Sequence, residues 1–169
     1  MQTVAGDPAF DDVLAANKRY AESFPHAGLE ANAAKGLAVL TCMDSRIEPL
    51  AMLGLEPGDA KILRNAGARV TDDVLRTLVL ATYLLGVERV MVVAHTKCRM
   101  TADSEDDVRA AIRDAGGPDL EGVRFLVTRD QEATVRSDVE LIRSAPHLAH
   151  LHAGGFIYDV DSGRVTQLC

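Results

Sequence analysis

The chain has 169 residues, 47% of them hydrophobic, which suits one domain spanning 1–169 with a complete core. A formal net charge of -7 argues against nucleic acid, whose phosphate backbone selects a basic stripe. The longest apolar run, 78–87, is broken by Thr82 and Tyr83 and falls short of the ~20 residues that cross a bilayer. Residues 1–7 also lack the basic and apolar regions of a secretory leader, so the expected location is cytoplasmic.

Asp7-Pro8 opens a predicted amphipathic helix over 10–20, with Phe10, Val13, Leu14 and Asn17 at helical spacing. Pro25, Gly28 and Gly36 mark a loop before a strand at 37–41. Residues Ile47 to Leu53 read as helical, stopped by Gly54, and Pro57-Gly58-Asp59 turns into a second strand at 60–65. Asp72-Asp73 starts a helix through Leu75, Leu78, Val79, Thr82 and Leu85 that ends at Gly86, before a third strand at 89–94. Beyond it the pattern predicts a helix over 105–114, a fourth strand at 123–127, a helix over 131–143, and a hairpin over 154–168 turning at Asp161-Ser162-Gly163. The βαβαβ order implies an α/β fold with a mostly parallel central sheet, right-handed crossovers and helices on both faces. Ligands of such sheets sit at the carboxyl ends of the strands, where Cys42, Asn65 and His95 all fall.

Two of those strand-end residues, with Cys98 just beyond, carry the chemistry. Cys42 closes the first apolar run, and His95 and Cys98 close the third, which together offer zinc three ligands. A catalytic zinc keeps a fourth position open, whereas a structural one fills it, and Asp44 is the residue that could do so here. Two thiolates and one neutral imidazole leave Zn2+ formally neutral, so a bound water should be less acidic than the ~7 of a three-histidine site. Asp44 has a second option, a bidentate pair with Arg46 that would hold its carboxylate off the metal. Cys169 reads as a spectator thiol, while His147, His150, His152 and His26 read as surface residues. Phe156 and Tyr158 alternate as a strand with a core face, and Arg64-Asn65-Ala66-Gly67 reads as a turn with glycine at positive φ.

Cys42-Met43-Asp44-Ser45-Arg46 followed by His95-Thr96-Lys97-Cys98 resembles the signature of the β-class carbonic anhydrases. Further matches run through Arg64-Asn65-Ala66-Gly67, Leu85-Gly86-Val87 and Gly155 to Val160, so that the likeness covers roughly residues 8–168. The short stretch before Phe125 is similar to the compact prokaryotic members. The resemblance implies zinc on Cys42, His95 and Cys98, an Asp44–Arg46 gate, and reversible hydration of carbon dioxide to bicarbonate and a proton. It also implies a homodimer, or a tetramer of paired dimers, in which the N-terminal helix packs on a partner subunit. Relatives that hydrolyse carbon disulfide or carbonyl sulfide at the same kind of site supply a second reading, and a non-catalytic zinc-binding homologue a third. One position departs from the family: Arg99 stands where glycine normally follows the second cysteine. If position 99 needs positive φ, arginine costs about 1–2 kcal/mol there; otherwise Arg99 and Lys97 put two cations beside the metal, favouring the thiolates and bicarbonate.

Overall fold

The structure, a computed structural model, describes residues 7–102 and 104–169 and divides into two compact units, Met1–Glu30 and Ala31–Cys169. In the first unit the Asp7 carboxylate accepts from the Ala9 amide at 3.0 Å and caps a 3-10 turn over Pro8–Phe10. Proline suits this first turn because it has no amide hydrogen to leave unpaired. Helix α1 (Asp11–Glu22) follows, slightly later than the expected 10–20. None of its residues is buried, and Phe10, Val13, Leu14 and Tyr20 are each more than half exposed.

The second unit holds β1 (Leu37–Cys42), β2 (Ala60–Asn65), α2 (Asp72–Leu84), β3 (Arg89–His95), α3 (Glu105–Asp114), α4 (Gln131–Ser144), β4 (His152–Tyr158) and β5 (Val165–Gln167). They form one five-stranded sheet in the order β2-β1-β3-β4-β5, parallel except for β5, which returns antiparallel on β4 as the expected hairpin. Among the described residues no helix is long and apolar enough to cross a membrane.

Two expected elements are absent. Residues 47–53 form only a 3-10 turn over Ala51–Leu53, so the β1–β2 crossover carries no α-helix and the order is not βαβαβ. Pro49 has no amide hydrogen to donate, and proline disfavours helical angles in the residue before it, although Gly54 does end the turn at φ +64°. Residues 123–127 are likewise not a strand. Leu126 has φ +59°, and the Glu105 carboxylate takes the Phe125 amide at 2.7 Å and the Val127 amide at 3.3 Å, so those donors are not free for a ladder. The fourth strand is instead His152–Tyr158.

The two sheet faces are covered unequally. Ala38, Leu40, Val90, Val92 and Ala94 pack on Val74, Leu78 and Ala81 of α2 and on Val135, Val139 and Ile142 of α4. Each fully buried Leu or Val contributes about 1.5–3 kcal/mol by leaving water. On the other face Leu37, Val39 and Val93 meet Met52, Leu53 and Leu55 of the crossover rather than a helix, and Ile62, Met91, Phe156 and Tyr158 are only partly buried. Beyond the sheet edge, the loop after β2 is tied to α4 by a buried pair: Arg69 donates to Asp138 at 2.8 and 3.2 Å, and the Val70 amide donates to the same carboxylate at 3.0 Å.

Candidate metal centre

Strand register brings the donors together. Thr41 pairs with Val93 and its buried hydroxyl donates to the Val93 carbonyl at 3.0 Å, so β1 and β3 deliver Cys42 and His95 to the same edge. Cys98 closes the loop after β3, and one ligand atom from each of the three residues lies within 4.8 Å of the others. All three residues are buried. The two sulfurs are 4.0 Å apart. Two sulfurs each ~2.3 Å from a tetrahedral zinc lie ~3.8 Å apart, so the spacing fits such an ion with little movement.

The histidine is set for the same purpose. Its Nδ1 lies 2.9 Å from the Thr96 carbonyl, which can only accept, so Nδ1 carries the proton and Nε2 presents a lone pair. Nε2 is fully buried and makes no hydrogen bond among the described residues. An orphaned buried acceptor costs about 1–3 kcal/mol, which a metal bond would recover. Amides support the sulfurs: Gly67 donates to Cys42 Sγ and Met100 to Cys98 Sγ, each at 3.4 Å.

Charge in the cluster is divided unevenly. The Cys98 thiol donates toward Cys42 and holds it as a thiolate well below the ordinary range, against burial, and the same contact together with burial pushes Cys98 up. Burial lowers His95, and the adjacent Cys42 thiolate more than offsets it, so the net shift is upward. The site therefore concentrates negative charge where a divalent cation could replace the shared proton.

Asp44 and Arg46 form the bidentate pair that their spacing allows. Arg46 Nε donates to Asp44 Oδ1 at 2.9 Å and Nη2 to Oδ2 at 2.7 Å, and the Arg46 amide adds a third bond at 2.9 Å. These bonds hold the Asp44 carboxyl well below the usual carboxylate range and raise the guanidinium. Asp44 Oδ2 stays 3.8 Å from His95 Nε2, beside the donors yet turned to the arginine.

Two features escape a reading of the motifs alone. Arg64, taken as part of a turn, donates through Nε to the Cys42 carbonyl at 3.0 Å and through Nη2 to the Asp44 carbonyl at 2.7 Å, fixing the loop that carries both side chains. Its sequence signals were its place one residue before the end of a strand and the family match at Arg64-Asn65-Ala66-Gly67. Gly67 does have positive φ, at +82°, and an added Cβ would stand 3.2 Å from Met100 Cβ. Asn65 is a loop brace that accepts from the Arg69 amide at 2.8 Å and donates to the Arg69 carbonyl at 2.7 Å. Arg99 is not left-handed; Lys97 is, at φ +55°. Cys169 packs beside Gly155 near α4, and His147, His150 and His152 are exposed, none of them with the triad.

Comparison with known proteins converges on one family. The carbonic anhydrase family profile matches residues 37–165. Beta-carbonic anhydrase 1 of Mycobacterium tuberculosis is 35% identical over 161 residues, spanning 94% of this chain and 96% of that protein. Carbon disulfide hydrolase of Saccharolobus solfataricus is 42% identical over 155 residues, spanning 78% of this chain and 76% of that protein. The crystal structure of carbonic anhydrase from Streptococcus mutans matches with a TM-score of 0.88 at 36% identity, over 99% of this chain and 100% of that one. With the sheet, the donor cluster and the paired Asp44–Arg46 in agreement, the chain belongs to the β-carbonic anhydrase family.

Proposed function

We propose that this protein is a zinc-dependent lyase that interconverts carbon dioxide with bicarbonate and a proton. Cys42, His95 and Cys98 hold the metal, and Asp44 and Arg46 govern its fourth position. The observation that carries the reading is the buried, unpaired Nε2 of His95, grouped with two sulfurs 4.0 Å apart and a carboxylate oxygen 3.8 Å away. Zinc, when bound there, acidifies a water molecule and so supplies a nucleophile. Arg46 keeps Asp44 ionised and restrained, so that Oδ2 would stand ready to accept a hydrogen bond beside the metal position and orient a nucleophile there. Without Arg46 the same carboxylate is free to take the fourth position and exclude water.

The test is carbon dioxide hydration against pH for the parent, Asp44→Asn and Arg46→Ala, with zinc content measured alongside. The parent rises toward alkaline pH, while both variants keep zinc and lose most turnover. A flat parent profile together with near-normal Arg46→Ala would remove the gate. The relatives named carbon disulfide hydrolase support a second substrate of the same shape, carbon disulfide, and release of hydrogen sulfide from it in a parallel assay separates the two readings.

The protein works as a cytoplasmic homodimer. Reduced Cys42 and Cys98 suit a thiol-preserving compartment. An amphipathic α1 with Val13, Leu14 and Tyr20 exposed, an open β2 edge and a half-covered second sheet face all invite a second copy.

A further inference from the structure

The guanidinium of Arg46 must hold Asp44, and something must hold the guanidinium. Nε–H and one Nη2–H are spent on Asp44 itself. Among the described residues, the sole hydrogen bond from this group to anything else runs from Nη2 to the carbonyl of Lys97, at 3.1 Å. Removing it leaves the guanidinium bonded only to Asp44, whose carboxylate is tied to the main chain through the Arg46 amide, with the arginine side chain 46% exposed.

The carbonyl is supplied by an uncommon backbone. Lys97 sits at φ +55°, a region that glycine and asparagine adopt readily and β-branched residues resist. The residue before it is pinned to the end of β4 and the turn that follows: the Thr96 amide donates to the Tyr158 carbonyl at 2.9 Å, and the Val160 amide to the Thr96 hydroxyl at 3.1 Å. The preceding carbonyl, of Thr96, receives His95 Nδ1–H. Successive carbonyls of one loop thus orient the imidazole and the arginine. The Lys97 side chain reaches away to Asp161 at 2.6 Å, but both partners are more than 60% exposed, and such pairs contribute little.

We propose that Lys97 is a positioning residue for the reaction, acting through its left-handed backbone, whose carbonyl anchors Arg46 and thereby keeps Asp44 off the metal position. The side-chain charge is incidental. This rests on the zinc and Asp44–Arg46 reading above, so the experiment includes a measurement that needs no turnover.

Lys97→Val, Lys97→Gly and Asp161→Asn are each prepared with zinc and, separately, with cobalt(II), whose visible absorption changes when a carboxylate takes a coordination position. Lys97→Val keeps about one metal per chain, shifts the cobalt spectrum toward carboxylate coordination, and lowers kcat roughly tenfold with KM nearly unchanged, the scale of one hydrogen bond to a charged group. Lys97→Gly, free to adopt the same backbone, restores kcat and spectrum to within about twofold of the parent, as does Asp161→Asn, which removes only an exposed pair. The proposal is overturned if Lys97→Val matches the parent in spectrum and kcat, if Lys97→Gly or Asp161→Asn falls as far as Lys97→Val, or if Lys97→Val loses its metal, which would assign the backbone to the ligands instead. A parent that binds metal yet turns over nothing refutes the proposed function, while the cobalt spectra still decide the role of Lys97.

Discussion

Replacing Asp138 by alanine removes the acceptor that ties the post-β2 loop to α4. The carboxylate is 1% exposed and receives three donors, two from Arg69 and one from the Val70 amide. Breaking a buried pair by deleting one partner costs about 3–5 kcal/mol. The buried Val70 amide alone, left without an acceptor, accounts for roughly 1–3 kcal/mol of that. Arg69 is 18% exposed on its side chain and keeps its 2.7 Å bond to the Leu126 carbonyl, so it regains some hydration and the loss falls at the low end. At about 3 kcal/mol, and ~2–4 °C per kcal/mol for a chain this size, Tm drops by roughly 6–12 °C. Asp138→Asn, which preserves an acceptor oxygen, loses less. Thermal unfolding by circular dichroism is the assay, at fixed protein and zinc concentration because ligand and partner binding also move Tm. A fall below about 3 °C would show that the pair contributes no more than an exposed one and would refute this reasoning.

Cys42→Ser, His95→Ala and Cys98→Ser each lose most bound zinc, whereas Cys169→Ser retains about one per chain, because three ligands leave no redundancy; elemental analysis of the purified proteins decides it. Glu105 is held below its ordinary value chiefly by the Phe125 amide, so its stabilising effect is present above the usual carboxylate pKa of ~4.3 and disappears as pH falls through the lower folded value. Urea unfolding should therefore find Glu105→Gln about 1–3 kcal/mol less stable than the parent at pH 7, with the gap closing toward pH 3; a gap that persists in acid contradicts the ionic origin. Sedimentation at micromolar concentration should give a dimer, and deletion of residues 1–22 should weaken it, while a parent that is monomeric throughout removes the assembly.

Periodicity carried the sheet and the long helices, because α2 and α4 bury one stripe each and β1 and β3 are continuous apolar runs. It failed at 47–53 and 123–127, where the competing information is not periodic. At the first, one proline outweighs an apolar run of helical length; at the second, Glu105, eighteen residues or more away in sequence, takes the amides that a strand would have needed. The candidate donors were legible because Cys42 and His95 end apolar strands and Cys98 follows shortly after the second. Their supports were not. Arg64, Asp138 and the Lys97 carbonyl act through main-chain or cross-element bonds that residue type does not announce. The departure at Arg99 drew attention two positions too late, because the left-handed residue is Lys97.

Donors and gate are built on different foundations. Cys42 and His95 issue from adjacent strands locked by a backbone ladder and by the buried Thr41–Val93 bond, so their separation is a property of the sheet. Asp44, Arg46 and Lys97 stand on loops with side chains at least partly open to water, held by a short chain of hydrogen bonds in which each link fixes the next. A change in the sheet core therefore acts on metal affinity, since the three donors must keep their distances to bind at all. In the proposed reading, a change confined to Asp44 or Arg46 acts on turnover with the metal retained, whereas the loop after β3 carries the donor Cys98 beside Lys97. In the proposed function, the division would let one end of a rigid sheet hold an ion tightly while the occupant of its last coordination position stays exchangeable, a combination that a closed four-ligand site, with every position filled by buried side chains, cannot provide.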